Sequence, residues 1–279
     1  MPYPIAKLAY GLRCRLSELA TLSERYRLQE AAGNKDICPP KLQAIHVKNK
    51  ILYFSKNGKA FETMFHYYYA YFLNIMAKVL YICLDVKLDN VPVESITEDM
   101  LAHTVFRPHT LELYNYDDIP ANFFANLQSK ILLTEVTTLT VDRIASNRID
   151  LCELFGHIPR LETFTFDGVV SKTWMSDILK SQKSKLRSLD VHLSFESFEE
   201  LKAEELVDFI KAQMKSCDIN IRVKVRRKKR KSIRAWKLFL SEMLLPFLPR
   251  TEDIQLPYRE LVFHLNGNPY SFYLPSQFE

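Results

Sequence analysis

One short pattern returns through the middle of the chain and constrains its fold more than any other feature. It reads apolar-x-apolar, then a polar turn, then a helical stretch. The cores are Leu84-Asp85-Val86, Leu111-Glu112-Leu113, Leu139-Thr140-Val141, Phe164-Thr165-Phe166 and Leu189-Asp190-Val191, spaced by 27, 28, 25 and 25 residues. Ile221-Arg222-Val223 follows after 32. Two copies carry a longer kernel, Leu161-x-x-Phe164-x-Phe166 and Leu186-x-x-Leu189-x-Val191, and Val136-x-x-Leu139-x-Val141 is close to it. A period in the twenties with an L-x-x-L-x-L kernel marks a leucine-rich-repeat solenoid. A strand–helix unit cannot cover its own apolar face, so such units stack. The usual repeat places Asn or Cys three residues after the second strand position. Here Asp89, Tyr116, Ile144, Val169 and Ser194 stand there, so the predicted solenoid is degenerate.

Helical spacing after each strand predicts the covering layer. Ile119, Phe123, Leu127 and Ile131 fit one face, Cys152 and Phe155 a second, and Trp174, Ile178 and Leu179 a third. The longest helix is predicted from Ser197 to about Cys217, opened by a Ser197–Glu200 capping box, with Phe198, Leu201, Leu206, Phe209, Ile210 and Met214 inward.

The flanks read differently. Leu8, Leu12, Leu16 and Leu19 recur at helical spacing, and Thr21-Leu-Ser-Glu24 is a capping box for a second helix with Tyr26, Leu28 and Ala32 on its apolar side. Gly33-Asn34 is a C-cap signal and Pro39-Pro40 ends the module. Residues 41–62 read as a β-hairpin, with Leu42–Val47 and Lys50–Phe54 strand-like and a turn at Asn57-Gly58. Met64 to Ile82 reads as one aromatic-rich buried helix. The run Met64–Val86 carries His66, Asn74, Lys78 and Asp85, and so lacks the ~20 unbroken apolar residues of a membrane span. Ile233–Leu248 reads as another amphipathic helix, stopped by Pro246 and Pro249. Leu261–Leu265 and Tyr270–Leu274, joined through Asn266-Gly267, read as a closing hairpin over the end of the repeats.

The fold class expected is therefore α/β: a helical module over 1–40, then a leucine-rich-repeat-like α/β domain over 41–279 with a C-terminal β-hairpin. Five scattered cysteines without a C-x-x-C pair, and no N-x-S/T sequon, point to reduced thiols in a cytoplasmic or nuclear protein.

Pro4-Ile5-x-x-Leu8, then Leu12, Leu16 and Leu19, then Ser23-Glu-Arg-Tyr-Arg-Leu28, resembles a divergent F-box of the kind expanded in nematodes. That family's motif runs Leu-Pro, spaced leucines, a short acidic turn and an arginine- and leucine-bearing helix, and repeats follow it in many members. Ala9 stands where the family usually has proline, Gly11 where an acid is common, and no Trp closes the module. The resemblance implies a non-catalytic subunit that recruits substrates to an SCF-type ubiquitin ligase. It implies that Leu8, Leu12, Leu16, Leu19, Tyr26 and Leu28 face the adaptor subunit, while the repeats hold a target protein. Parity of the strands makes Glu112, Thr140, Thr165 and Asp190 the outward, ligand-facing residues.

No catalytic chemistry is spelled out. His46, His66, His103, His109, His157, His192 and His264 form no H-E-x-x-H and no close His/Cys pair, so neither a metal nor another cofactor is implied. Cys152 and His157, five apart, read as a buried thiol beside a structural imidazole. Nucleotide and hydrolase loops are absent as motifs.

Charge gives the second functional reading. The chain carries a formal net charge of +5, yet residues 222–237 hold ten Lys or Arg and no acid. The run Arg226, Arg227, Lys228, Lys229, Arg230 and Lys231 reads as a solvated loop, a nuclear-import signal or a phosphate-contacting segment, with Trp236 the nearby aromatic. On this alternative the chain is a repeat scaffold or nucleic-acid-associated protein. The alternation Ile219-x-Ile221-x-Val223-x-Val225 predicts that the run begins as a strand with Arg222 and Lys224 outward.

Overall fold

Apolar-x-apolar triplets become strands because alternate side chains leave a strand on opposite faces. A computed structural model describes residues 7–32, 43–54, 60–62, 79–116, 119–142, 149–168, 171–194, 197–198, 201–224, 260–265 and 268–273. Every one of the six triplets lies in a strand there. The architecture is mixed α/β with mostly parallel strand pairing.

The chain divides into two compact units, one of residues 1–109 and 126–133, the other of 110–125 and 134–279. The first contains helices α1 (Tyr10–Leu19) and α2 (Leu22–Ala32), strands β1 (Ala44–Phe54), β2 (Ala60–Glu62) and β3 (Val79–Asp89), helix α3 (Glu98–His103) and the start of strand β4 (Thr104–Tyr114). β1 pairs antiparallel with β2 and parallel with β3. The hairpin expected at 41–62 is therefore present, and the structure supplies the pairing that the sequence leaves open; its turn at Asn57-Gly58 lies outside the described residues. Ala44–Phe54 is one strand, irregular between Lys48 and Ile51, and Ala60–Glu62 is its hairpin partner. The helix expected to run to Ile82 is corrected at its end. Val79–Ile82 belongs to β3, where it pairs with Ala44–Val47. Tertiary pairing of a β-branched, aromatic run overrides a helical period there; residues 63–78 lie outside the described residues. Leu22, Leu80 and Val105 form a small buried cluster against which Tyr26 packs.

The second unit holds the end of β4, then β5 (Thr138–Asp142), α5 (Leu151–His157), β6 (Thr163–Asp167), α6 (Trp174–Ser181), β7 (Ser188–Ser194), α7 (Ala203–Ala212), β8 (Asp218–Lys224), β9 (Glu260–Leu265) and β10 (Asn268–Tyr273). The short helix α4 (Phe123–Gln128) spans its first break with the other unit. Strands β4 to β9 pair in parallel in chain order, and β10 turns back antiparallel on β9. The register is unbroken: Leu111 faces Leu139, which faces Phe164, Leu189, Ile219 and Leu261 in turn. All six are buried, as is the parallel row Leu113, Val141, Phe166, Val191, Ile221 and Phe263. Leu161 and Leu186, the leading leucines of the longer kernel, are buried too. Backbone amides knit the strand entrances: Glu162 and Thr163 N–H donate to the Thr137 carbonyl, Arg187 and Ser188 to Glu162, and Asp218 to Arg187.

Helices cover the buried rows. α5 packs beside α6, and α6 beside α7. Leu151, Leu154 and Phe155 point inward from α5, as do Trp174, Met175 and Ile178 from α6 and Leu206, Val207, Phe209 and Ile210 from α7. Phe155 meets Phe164 edge-on at 5.7 Å between centroids, and Trp174 meets Phe209 at 5.3 Å, within the range where aromatic pairs are favourable.

Three helical expectations change. Cys152 does not share the inner face with Phe155; it is exposed, because Leu151 and Leu154 take the inward positions. The thiol is thus not buried beside His157; its Sγ lies 3.9 Å from the Asp177 carbonyl. The helix expected from Ser197 to Cys217 is interrupted: Ser197 and Phe198 are helical, Leu201 and Lys202 are not, and the helix resumes as Ala203–Ala212. Lys202 occupies the N-cap, Gln213 ends the helix, and Cys217 is buried beyond it. Gln213 explains the stop: fully buried, its side-chain oxygen accepts from the Leu186 amide at 3.0 Å.

The degenerate turn position also has an answer in the first two strands. Asn90 and Asn115 directly follow β3 and β4 with φ of 49° and 53°. Asparagine tolerates this left-handed conformation better than most residues. The closing hairpin is observed as β9–β10, with Leu265 opposite Asn268, and it continues the sheet by pairing β9 with β8. The segment 233–248, read as a helix, lies outside the described residues, as do Gly33-Asn34 and Pro39-Pro40.

Candidate functional site: an apolar helical groove and a polar sheet face

Two surfaces hold the residues singled out by the sequence, one in each unit. The first begins with the capping box. Thr21 Oγ1 accepts from the Glu24 amide at 3.3 Å, and Glu24 Oε2 accepts from the Thr21 amide at 2.8 Å. The Thr21 amide foremost, and then the Thr21 hydroxyl, which donates to Oε2 at 2.9 Å, hold the Glu24 carboxyl below the usual carboxylate range. The reciprocal cap starts α2 directly after α1 ends at Leu19.

Between the two helices lies an open groove of about 550 Å³, lined by Leu16, Leu19, Ala20, Leu28 and Ala31, with Glu24 and Arg27 also at its wall. α1 has no buried residue. Leu12 is 60% exposed and Leu19 69%, large values for leucines on a helix. Of the six residues expected on this surface, the groove brings together Leu16, Leu19 and Leu28. Leu8 and Leu12 are not among its lining residues. Tyr26 turns the other way. Its ring packs on Leu22, Leu80 and Val105, and its hydroxyl donates to Glu30 Oε1 at 2.9 Å. Desolvation, then Glu30, raises its pKa. Glu30 also pairs with Arg107, so this contact ties α2 to its own unit.

The second surface is the face of strands β4 to β9 opposite the buried rows. Glu112, Thr140, Thr165 and Asp190 stand side by side on it, in register with Asn220 and Val262. None of these six is buried. The next row toward the strand ends sets His192 beside Asp167 on one neighbour and Arg222 on the other, with His264 beyond Arg222. Asp190 takes the Arg222 guanidinium in a fork: Nε donates to both carboxylate oxygens at 3.0 and 3.1 Å, and Nη2 to Oδ2 at 2.6 Å. His192 stands between two carboxylates, its Nδ1 3.2 Å from Asp167 Oδ2 and its Nε2 3.6 Å from Asp190 Oδ1. The Nδ1 contact lacks hydrogen-bond geometry, and the strands themselves are joined by their parallel backbone ladder. His264 Nε2 lies 3.3 Å from Asn220 Oδ1.

The sequence found the outward parity but not this network, because Asp167, His192 and Arg222 belong to different repeats. Asp167 and His192 each follow a triplet by one residue while Arg222 is the centre of its own, so only the strand register brings them into one row. Arg222 is outward as expected; Arg226 to Lys231 lie outside the described residues. Among the described residues no group of three or more His, Cys, Asp or Glu is placed to hold a metal ion, and no helix is long and apolar enough to cross a membrane.

No protein-family model matches the chain, and neither a curated protein nor a solved structure is similar to it.

Proposed function

We propose that this chain is a non-catalytic adaptor, an F-box-like subunit that recruits a target protein to an SCF-type ubiquitin ligase, built on a degenerate leucine-rich-repeat frame. The observation that carries the reading is the apolar groove of α1 and α2. Leu16, Leu19 and Leu28 line it, while no residue of α1 is fully buried. An exposed apolar helical hairpin with a charged rim suits a partner helix laid into the groove. The resemblance of residues 4–28 to the F-box motif names that partner as the adaptor subunit. The parallel strands with one covered and one open face support the repeat frame, and the open face offers the surface for the target.

Co-elution of the full chain with an SCF adaptor subunit tests this. The wild type co-elutes; the Leu16→Asp/Leu19→Asp variant stays folded and does not. Each leucine buried at the contact contributes about 2 kcal/mol, so together they change the dissociation constant by roughly a thousandfold. A wild-type chain that fails to co-elute, or a folded variant that still does, refutes the assignment.

A further inference from the structure

The groove between α1 and α2 is not apolar to its edge, and its uncommitted charge narrows what can lie in it. Positions 24, 27, 28 and 31 share a helix face by their spacing, so Glu24 and Arg27 stand beside Leu28 and Ala31 at the groove wall. The carboxylate is already engaged: Glu24 Oε2 accepts from the Thr21 amide at 2.8 Å and from the Thr21 hydroxyl at 2.9 Å. Other charges of the two helices are taken up as well. Arg15 pairs with Glu18 at 3.0 Å, and Glu30 pairs with Arg107 and accepts from Tyr26. Arg27 differs. It is exposed and, among the described residues, makes no hydrogen bond or salt bridge; it acts on Glu24 only through its charge. Ala20 and Ala31 add only a methyl each to the groove, so a guest can come close to the helix backbones below that guanidinium.

We propose, resting on the reading of this groove as the adaptor's seat, that its occupant is an amphipathic helix with a carboxylate beside its apolar stripe, and that Arg27 selects it. A groove between two helices, floored by leucine and alanine, takes the apolar face of a third helix. Charge complementarity sets the carboxylate. An acid above Arg27 meets a planar guanidinium whose donors can take both of its oxygens. A lysine in that place would face Arg27 as a like charge and find Glu24 already held by its cap. A guest with neither leaves the guanidinium covered and unpaired, which weakens binding. The apolar floor therefore supplies affinity, and Arg27 supplies register and choice.

The test uses the full chain and the SCF adaptor subunit, with dissociation constants read by isothermal titration at low and moderate salt. Arg27→Gln, Arg27→Lys and Arg27→Glu are compared with Arg15→Gln, which removes the same charge from an exposed residue that does not line the groove. Arg27→Gln is expected to weaken binding about fivefold at low salt, and by less at moderate salt, where a partly exposed pair is screened. Arg27→Lys should fall between it and the wild type, because the charge stays and the planar fork is lost. Arg27→Glu should weaken binding more than Arg27→Gln, and Arg15→Gln should leave it little changed. Should Arg27→Glu disturb α2, as circular dichroism would show, the neutral Arg27→Gln decides. Wild-type affinity in Arg27→Gln, tighter binding in Arg27→Glu, or an equal loss in Arg15→Gln overturns the proposal. The Leu16→Asp/Leu19→Asp variant, run beside these, tells the two failures apart. If the wild type binds and that variant does not, the adaptor reading stands even where Arg27 proves indifferent; if the wild type does not bind, both fall.

Discussion

At the scale of single residues, position in the repeat decides cost. Leu189 is fully buried in the middle of the leucine row. Its truncation to Ala removes contacts on both sides and leaves a cavity, so Leu189→Ala is expected to lower unfolding free energy by about 3 kcal/mol, read from the denaturant midpoint. Asp190, one residue on, faces the other way and holds Arg222. The Thr21–Glu24 cap is a local counterpart. Thr21→Ala removes a hydroxyl acceptor and is expected to cost about 1 kcal/mol of local α2 stability. Glu24 adds a pH signature. Its folded carboxyl titrates below the ordinary value because it accepts the Thr21 amide bond. The charged form is therefore favoured by folding, its contribution is present above the unfolded pKa, and it is lost as pH falls through the folded pKa. NMR titration of the Thr21 and Glu24 amides should show the cap released on acidification, and in Glu24→Gln that low-pH transition should disappear.

At the scale of elements, the apolar-x-apolar triplets were legible because burial on one face of a parallel strand demands them. All six lie in strands, and the inward and outward parity read from sequence is the observed one from β4 to β8; in β3 Leu84 is only partly buried and Cys83 is buried instead. Helix identity was legible where several apolar residues repeated, as in α6. Helix length was not. The run from Ser197 to Cys217 looks continuous by period, yet Phe198 and Leu201 are buried before α7 begins, and Gln213 spends its side chain on the Leu186 amide rather than on another turn. β3 was misread at its start because Val79–Ile82 is apolar throughout, and only its pairing with β1 decides between helix and strand. The groove was legible as a leucine period on α1. That Tyr26 leaves it for the Leu22–Leu80–Val105 cluster depends on residues more than fifty positions away, which no local pattern carries.

At the scale of the whole molecule, the proposed function draws on two compact units. The first presents an apolar groove from α1 and α2, and the second a polar, ordered sheet face. The division of labour fits a recruiting subunit, which must hold a ligase component and a target together without chemistry of its own. Amide hydrogen exchange of the full chain, with and without an SCF adaptor subunit, tests this most directly, because local opening reports where a partner covers the backbone. Added protection is expected to be confined to Tyr10–Ala32, strongest around Leu16–Leu28, with β5–β8 unchanged. Protection that falls on the sheet strands instead, or no change at all, would contradict it.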